Sequence, residues 1–559
     1  MNRAGDSFKK FAPWLTAFLL ASFGAQLWVA WLYGSTVPIW DQWDQSLSVF
    51  KPWREGRLTF AALANPSSDH RAFLTHFTDI MFISLNGRWD PLVEMVVNAC
   101  IHLSFAGGLA FSLWHFFGRR NAWLVIFLLL PFFTLPFAGE NTIWGYNSMW
   151  YFVNVFGLAA IVGLGFFRAG SWQWWCGFTA AILGLLTMAL GPIALMATGG
   201  LIVLRGIKSR RINRENAVSF GVCVLLVCGG WAMGVRAEGY RPLQAHSAAE
   251  FVSALIRHLD WPFFNAPVMA CVILLPLVWL LVCYLRPNFH APAAAELVLA
   301  LALWSVLQSA LLAFGRANYG EGIPACRYMV VFSVLLIASL FAAALLGEHW
   351  QRGRFPKLNP RLVPVVFSVL LFFGVVQMAR IVVDNLLLPT RTMNLIAEER
   401  IAKFAADGDE KAFLEPPRVR PNPEEILTIL KDPALKMILP ASCLPPSSVR
   451  AAGPLTIASQ WLMRHSIGIL ATGLILFIGL CGIGLVRGSM DLTAKKPEGI
   501  IGLLAGLVAL SFVIANHSLH RDTVECQLQQ QLAGYFKSAG NLDRAAIHER
   551  KAGELNAAK

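Results

Sequence analysis

The sequence is short of charge. Of its 559 residues only 14% are Asp, Glu, Lys or Arg, and 56% are hydrophobic; a soluble protein of this size carries roughly 25% charged residues. With a mean hydropathy of +0.56, the chain lacks the polar surface that a set of soluble domains would need. Its ten cysteines contain no CxxC pair and no zinc-type spacing, which removes the zinc-ribbon and thioredoxin-like readings. Most lie in apolar runs (Cys100, Cys223, Cys228, Cys271, Cys283, Cys481) and read as small buried hydrophobes. Neither a P-loop nor a GxGxxG turn is present, so no phosphate-cradling loop marks a nucleotide site. The first apolar stretch has no small-residue cleavage site after it. No internal repeat is strong enough to indicate an inverted-repeat transporter.

What the chain does have is a series of apolar runs long enough to cross a bilayer. Helix 1 is expected at about Trp14–Tyr33, behind Arg3, Lys9 and Lys10. Helices 2 to 4 are expected near Pro91–Phe117, Ala122–Phe137 and Met149–Phe167. The apolar region Trp172–Leu204 breaks at Gly191-Pro192 and reads as a hairpin, helices 5 and 6. Helices 7 to 11 follow near Ala217–Val235, Phe263–Leu285, Ala293–Phe314, Tyr328–Leu346 and Leu362–Met378, and helices 12 and 13 near Ile467–Leu485 and Ile500–Ala515. The fold class is therefore an all-α polytopic membrane protein with about 13 transmembrane helices.

The formal charge is +13. In a soluble chain that excess would suggest nucleic acid. Here the basic residues sit in short clusters between apolar runs: Arg119-Arg120, Arg205 to Arg214, Arg286, Arg352 to Arg361, and Arg487 with Lys495-Lys496. This is the positive-inside pattern of cytoplasmic loops against anionic lipid, and nucleic acid is set aside. It puts the N-terminus in the cytoplasm. The outside then receives a first loop (34–89), the 238–261 stretch, the 315–327 loop, a polar insert (381–463) and the tail (517–559). The expected units are a transmembrane module over 1–380, the insert, a helix pair over 464–516, and a polar helical tail. Cys443 and Cys526 both fall outside, where a disulfide is permitted; free thiols, or Cys326 as a rival partner, are equally open.

The first loop carries the densest chemistry. It opens Trp40-Asp41-Gln42-Trp43-Asp44, and Asp41 and Asp44 share a face if the segment is helical. A carboxylate beside the bilayer, ringed by Trp, suits a general base with a raised pKa; the plainer alternative is a helix cap or a solvated loop. Pro66 to Arg71 opens a second amphipathic helix running to about Leu85, and two Trp- and Phe-rich helices are expected to lie flat at the outer membrane surface. His70, Arg71, Glu140, Asn141, Trp144, Arg316, Arg327 and Tyr328 can face the same place. Arg and His there would neutralise a phosphate or pyrophosphate, whereas boundary residues snorkelling to water are the plain reading of Arg316 and Arg327. Glu94, Asn98 and His102 form an i, i+4, i+8 stripe on helix 2, expected to face the bundle as interhelical glue or pocket lining. His517 and His520 have metal-compatible spacing without a third ligand.

This order of motifs (Asp-Gln-Trp, Asp69-His70-Arg71, Glu140-Asn141-Thr142-Ile143-Trp144, Arg327-Tyr328) resembles bacterial members of the GT-C superfamily of membrane glycosyltransferases. The resemblance covers the architecture to about helix 11. An Asp-Glu pair of the protein mannosyltransferase kind and a Trp-Trp-Asp signature are absent. The resemblance implies a polyprenyl-phosphate sugar as donor, with its tail between helices, and a glycan or lipid acceptor. Asp41 or Asp44 would act as base in an inverting transfer, with Arg71, Arg316 and Arg327 on the departing phosphate. It implies no cofactor beyond the lipid-linked donor and a location in the bacterial inner membrane. Two other readings compete. A transporter or flippase of lipid-linked glycans would place charges mid-membrane. A polysaccharide polymerase or ligase would concentrate function in a late outer loop such as the insert.

Overall fold

The computed structural model describes residues 2–64, 71–117, 122–234, 238–287, 289, 292–319, 324–351, 362–414, 422–445, 451–486, 521–538 and 540–557. Of the described residues 84% are helical, and none among them is in a strand. Eleven of the described helices are long and apolar enough to cross a membrane, and the protein is an all-α, multi-pass membrane protein. The expected thirteenth helix (500–515) lies outside the described residues, as do His517 and His520.

The transmembrane helices follow from apolar length, and their ends follow from local chemistry. α1 (Asn2–Tyr33) leads into a short helix, α2 (Asp41–Gln45), which continues through a π-helical turn at Ser46–Phe50 into α3 (Lys51–Arg54). α4 (Phe60–Ala64) and α5 (Phe73–Asn86) complete the first loop. α5 stops at Gly87, whose φ of 76° is the left-handed cap that glycine adopts freely. α6 (Pro91–Phe116) starts with Asp90 as N-cap and proline at its first position. α7 (Ala122–Thr134), α8 (Gly139–Ile143) and α9 (Ser148–Phe166) follow. α10 (Trp172–Leu185) and α11 (Gly191–Ser209) form the expected hairpin, turning at 186–190 with Pro192 opening the return. At 14 residues α10 is about 21 Å long, short of the roughly 30 Å hydrocarbon layer. α12 (Arg214–Ala232), amphipathic α13 (Ala248–Leu259), α14 (Pro267–Leu285), α15 (Pro292–Gly315) and α16 (Met329–Gln351) come next.

The expected insert boundary at residue 380 is crossed without a break. α17 (Leu362–Val382) runs through a π-helical turn at Val383–Leu387 into α18 (Leu388–Asp407). A polar sequence can extend an apolar helix, because the helix satisfies its own backbone in lipid and water alike. Beyond Gly408, α19 (Glu410–Leu414), α20 (Pro423–Lys431), α21 (Pro433–Lys436) and α22 (Pro454–Arg464) build the insert. α23 (Ser466–Val486) packs along α1. The tail is a helical hairpin, α24 (Arg521–Ser538) and α25 (Leu542–Ala557), seated on α18 through Ile396, Leu532 and Phe536.

The insert and the first loop share one hydrophobic core. Trp43, Phe50, Ile83 and Trp89 of the loop are buried against Ile401, Phe413, Ile429, Leu435 and Ile438. In α2 the insert covers Trp43, a burial worth roughly 1.5–3 kcal/mol, whereas no side chain of α3 is fully buried. α5 differs. Apart from Ile83, its buried side chains are polar (Thr75, His76, Asp79, Asn86), and Phe77, Met81 and Leu85 are exposed. Lys51 pairs with Asp432 at 2.6 Å. Thr456 of α22 donates to Asp90 at 2.5 Å. Cys443 and Cys526 are both free thiols, buried in separate places: the insert core for Cys443, and beside the Ala552 carbonyl of the tail for Cys526.

Candidate functional site

The Trp-Asp-Gln triplet occurs twice in tandem over residues 40–45. On a helix, residues three apart lie on nearly the same side. The two glutamines therefore point one way and the two aspartates another. Gln42 and Gln45 are buried, at 0% and 1% exposure. Gln42 Nε2 donates to Glu94 Oε2 at 2.5 Å, and Gln45 Nε2 donates to Asp79 Oδ2 at 2.6 Å. The other oxygen of Glu94 accepts from Trp89 Nε1 at 2.5 Å. Asn98, one turn below Glu94, points its amide at the carbonyls of Asn141, Trp144 and Gly145 at 3.1–3.3 Å. A buried amide–carboxylate network thus fixes α2 against α5, α6 and the segment after α8.

Desolvation pushes the Asp79 carboxyl well above the ordinary carboxylate range, and the Gln45 hydrogen bond only partly offsets it. The folded state therefore holds a proton on Asp79 that the unfolded chain releases, and its contribution to stability is lost as pH rises from the unfolded to the folded value. Asp79→Asn keeps an oxygen for Gln45 and removes the titration. Its melting temperature should exceed that of the wild type by roughly several degrees at pH 8, with the gap shrinking as pH falls and closing at about pH 4, as read by thermal denaturation in detergent. Gly145 has a separate constraint: a Cβ there would collide with the Glu94 carboxylate and approach Gln42 Nε2 to 2.9 Å. Gly145→Ala should destabilise by about 1–3 kcal/mol, seen as a lower melting temperature.

Asp41 and Asp44 lie on the other side of α2. Asp44 is partly exposed, and its carboxyl is raised to about 6 by partial burial first and then by the nearby charges of Asp41 and Glu425. Trp40, at the head of α2, is 49% exposed and has φ 51° and ψ −127°. Its ring lies 6.4 Å from that of Trp144. The link from α1 to α2 is clamped from above: one oxygen of Glu398 in α18 accepts from Ser35 Oγ (3.2 Å), Thr36 N–H (3.0 Å) and Arg391 (2.9 Å). Ser442 of the insert donates to the Thr36 carbonyl at 2.7 Å.

Beyond Trp144, a second charged group is built on α8 and the short turn Cys326–Tyr328 that precedes α16. Arg327 Nη1 meets Glu140 Oε1 at 2.6 Å, and its backbone N–H donates to the other oxygen at 3.2 Å. Asn141 Nδ2 donates to the Arg327 carbonyl at 2.9 Å. The Arg327 guanidinium stands 5.2 Å from the Tyr319 ring and 5.1 Å from the Tyr328 ring. Among the sequence-derived candidates, Glu140, Asn141, Arg327 and Tyr328 come together, as do Asp41 and Asp44, and the Trp40–Trp144 pair joins the two groups. Two arginines engage elsewhere. Arg71 donates to the carbonyls of Ala64 (3.2 Å) and Met233 (2.5 Å). Arg316 lies 4.8 Å from the Tyr240 ring and bonds the Gly315 carbonyl at 3.0 Å. His70 lies outside the described residues.

The expected Glu94–Asn98–His102 stripe divides. Glu94 and Asn98 enter the network under α2, while His102 stacks deeper in the bundle on Tyr151 at 4.7 Å. Gln42, Gln45 and Asp79 went unrecognised in the sequence although the tandem triplet carried the signal. Among the described residues, no group of three or more His, Cys, Asp or Glu side chains is arranged to hold a metal ion. Compared with known proteins, the chain matches no family model and no curated protein.

Proposed function

We propose that this protein transfers a sugar from a polyprenyl-phosphate donor to a cell-envelope glycan or lipid acceptor, with inversion, at the outer face of a bacterial inner membrane. In this reading the N-terminus is cytoplasmic, the spans number about thirteen, and the fold is GT-C-like. The observation that carries the proposal is the Asp41–Asp44 pair: two adjacent carboxylates just past the first span, one of them raised to about 6. A group with that pKa is largely deprotonated at neutral pH yet basic enough to take a proton from an attacking hydroxyl. Arg327, charge-compensated by Glu140 and flanked by Tyr319 and Tyr328, supplies N–H groups suited to a leaving phosphate.

The acceptor hydroxyl would attack the anomeric carbon as Asp41 or Asp44 removes its proton, and the polyprenyl phosphate would leave with the electrons of the broken C–O bond. The test is transfer by the purified full-length protein from a panel of radiolabelled polyprenyl-phosphate hexoses and pentoses to envelope glycan, paired with mass spectrometry of surface glycan in a deletion strain. Labelled product and a glycan missing one sugar are expected. An unchanged glycan together with no transfer from any donor would remove the enzyme assignment.

A further inference from the structure

We infer that Trp40 is the platform on which the transferred sugar ring stacks, with Trp144 forming the side wall of that subsite. This rests on the transferase reading above and names the part of the site that recognises the sugar. Of the first-loop tryptophans, Trp43 and Trp89 are each 1% exposed and Trp53 is half-buried, whereas Trp40 is 49% exposed. Trp40 directly precedes Asp41 at the head of α2. The Trp40 backbone, at φ 51° and ψ −127°, occupies a region open to glycine and strained for any residue with a Cβ. A strained backbone carrying a large, half-exposed ring beside two carboxylates is an arrangement that packing alone does not call for.

The partner ring adds an independent observation. Trp144 is 8% exposed and its indole N–H has no hydrogen-bond partner. Its ring centroid is 6.4 Å from that of Trp40, with the planes inclined at 43°. A pyranose or furanose has a face of C–H groups and an edge of hydroxyls. The open face of Trp40 takes the C–H groups, and Trp144, whose N–H is buried, closes the side of the subsite. A ring so held lies at the head of α2, the helix that carries Asp41 and Asp44. The contrasting role for an exposed Trp in this setting is an anchor in the interfacial belt of the bilayer. An anchor needs neither neighbouring carboxylates nor a second indole packed beside it.

The test uses the full-length protein and the same panel of polyprenyl-phosphate hexoses and pentoses. Trp40→Ala should raise KM for the donor roughly tenfold with a smaller change in kcat, and Trp40→Phe should stay within about threefold of wild type. If the alanine variant does not accumulate in the membrane, Trp40→Leu keeps apolar bulk without an aromatic face and should show the same rise in KM. Unchanged donor KM in Trp40→Ala or Trp40→Leu, with wild-type transfer intact, overturns the platform and leaves the transferase reading standing. Loss of membrane yield or melting temperature in Trp40→Leu without a KM effect also overturns it, in favour of the anchor. Absence of transfer from every donor by the folded wild type fails the transferase reading itself.

Discussion

Asp41→Asn/Asp44→Asn should lower sugar transfer by about 100-fold to 10,000-fold, the usual loss when a general base is removed, while the protein still accumulates in the membrane and melts no earlier than the wild type. Neither side chain belongs to the buried network that holds α2; that work falls to Gln42 and Gln45. The wild-type rate should rise with pH along an acidic limb near 6, because Asp44 must lose its proton to act and its carboxyl is raised to about 6. Asp41→Asn removes a neighbouring negative charge that keeps Asp44 protonated, so in that variant the limb should move to lower pH. A pH–rate profile of each single variant distinguishes the two carboxylates: the variant lacking the base loses rate at every pH, and the other keeps rate with a displaced limb. Full activity in the double variant would end the general-base assignment.

Arg327→Ala should destabilise the fold by about 3–5 kcal/mol, because it leaves Glu140 largely buried without its cation. The Glu140 and Arg327 side chains are 14% and 18% exposed, so water screens the loss little. Glu140→Gln/Arg327→Met removes both charges together and should recover most of that stability, since replacing a whole buried pair by groups of similar size is often neutral. Transfer should stay low in the double variant, because a thioether cannot donate to a leaving phosphate. Melting curves and rates measured side by side check this. Recovery of activity along with stability would reduce Arg327 to a structural role.

The membrane architecture could be read from the chain because apolar length and Pro, Asp and Gly punctuation act locally. α6 starts at its Asp90 cap, α11 at Gly191-Pro192, and α23 within a residue of the apolar run. What could not be read depended on distant partners. The continuation of α17 into α18 was hidden because residues 381–407 are polar, and only the insert and tail packed against them show why a helix persists there. The contacts of Arg71 and Arg316 were hidden for a similar reason: an arginine's sequence position says nothing of which carbonyl or ring it will reach. Asp41 and Asp44 were identifiable by proximity to the first span. Asp79 was missed because a polar face on a short helix reads as solvent-facing until another layer covers it.

The clamp on the α1–α2 link has a consequence for how the molecule is made. Thr36 accepts a hydrogen bond from Ser442, 406 residues further along the chain. At roughly 5–20 residues per second, the ribosome needs about 20–80 s to deliver that partner after the first segment has emerged. Through that interval the aspartate-bearing turn waits without its ceiling, and Trp43 and Trp89 stay uncovered by the insert that later buries them. The assembled form of the α1–α2 link would therefore arrive all at once, near the close of synthesis, and a nascent chain stopped short of the insert would be a membrane bundle with that link unclamped.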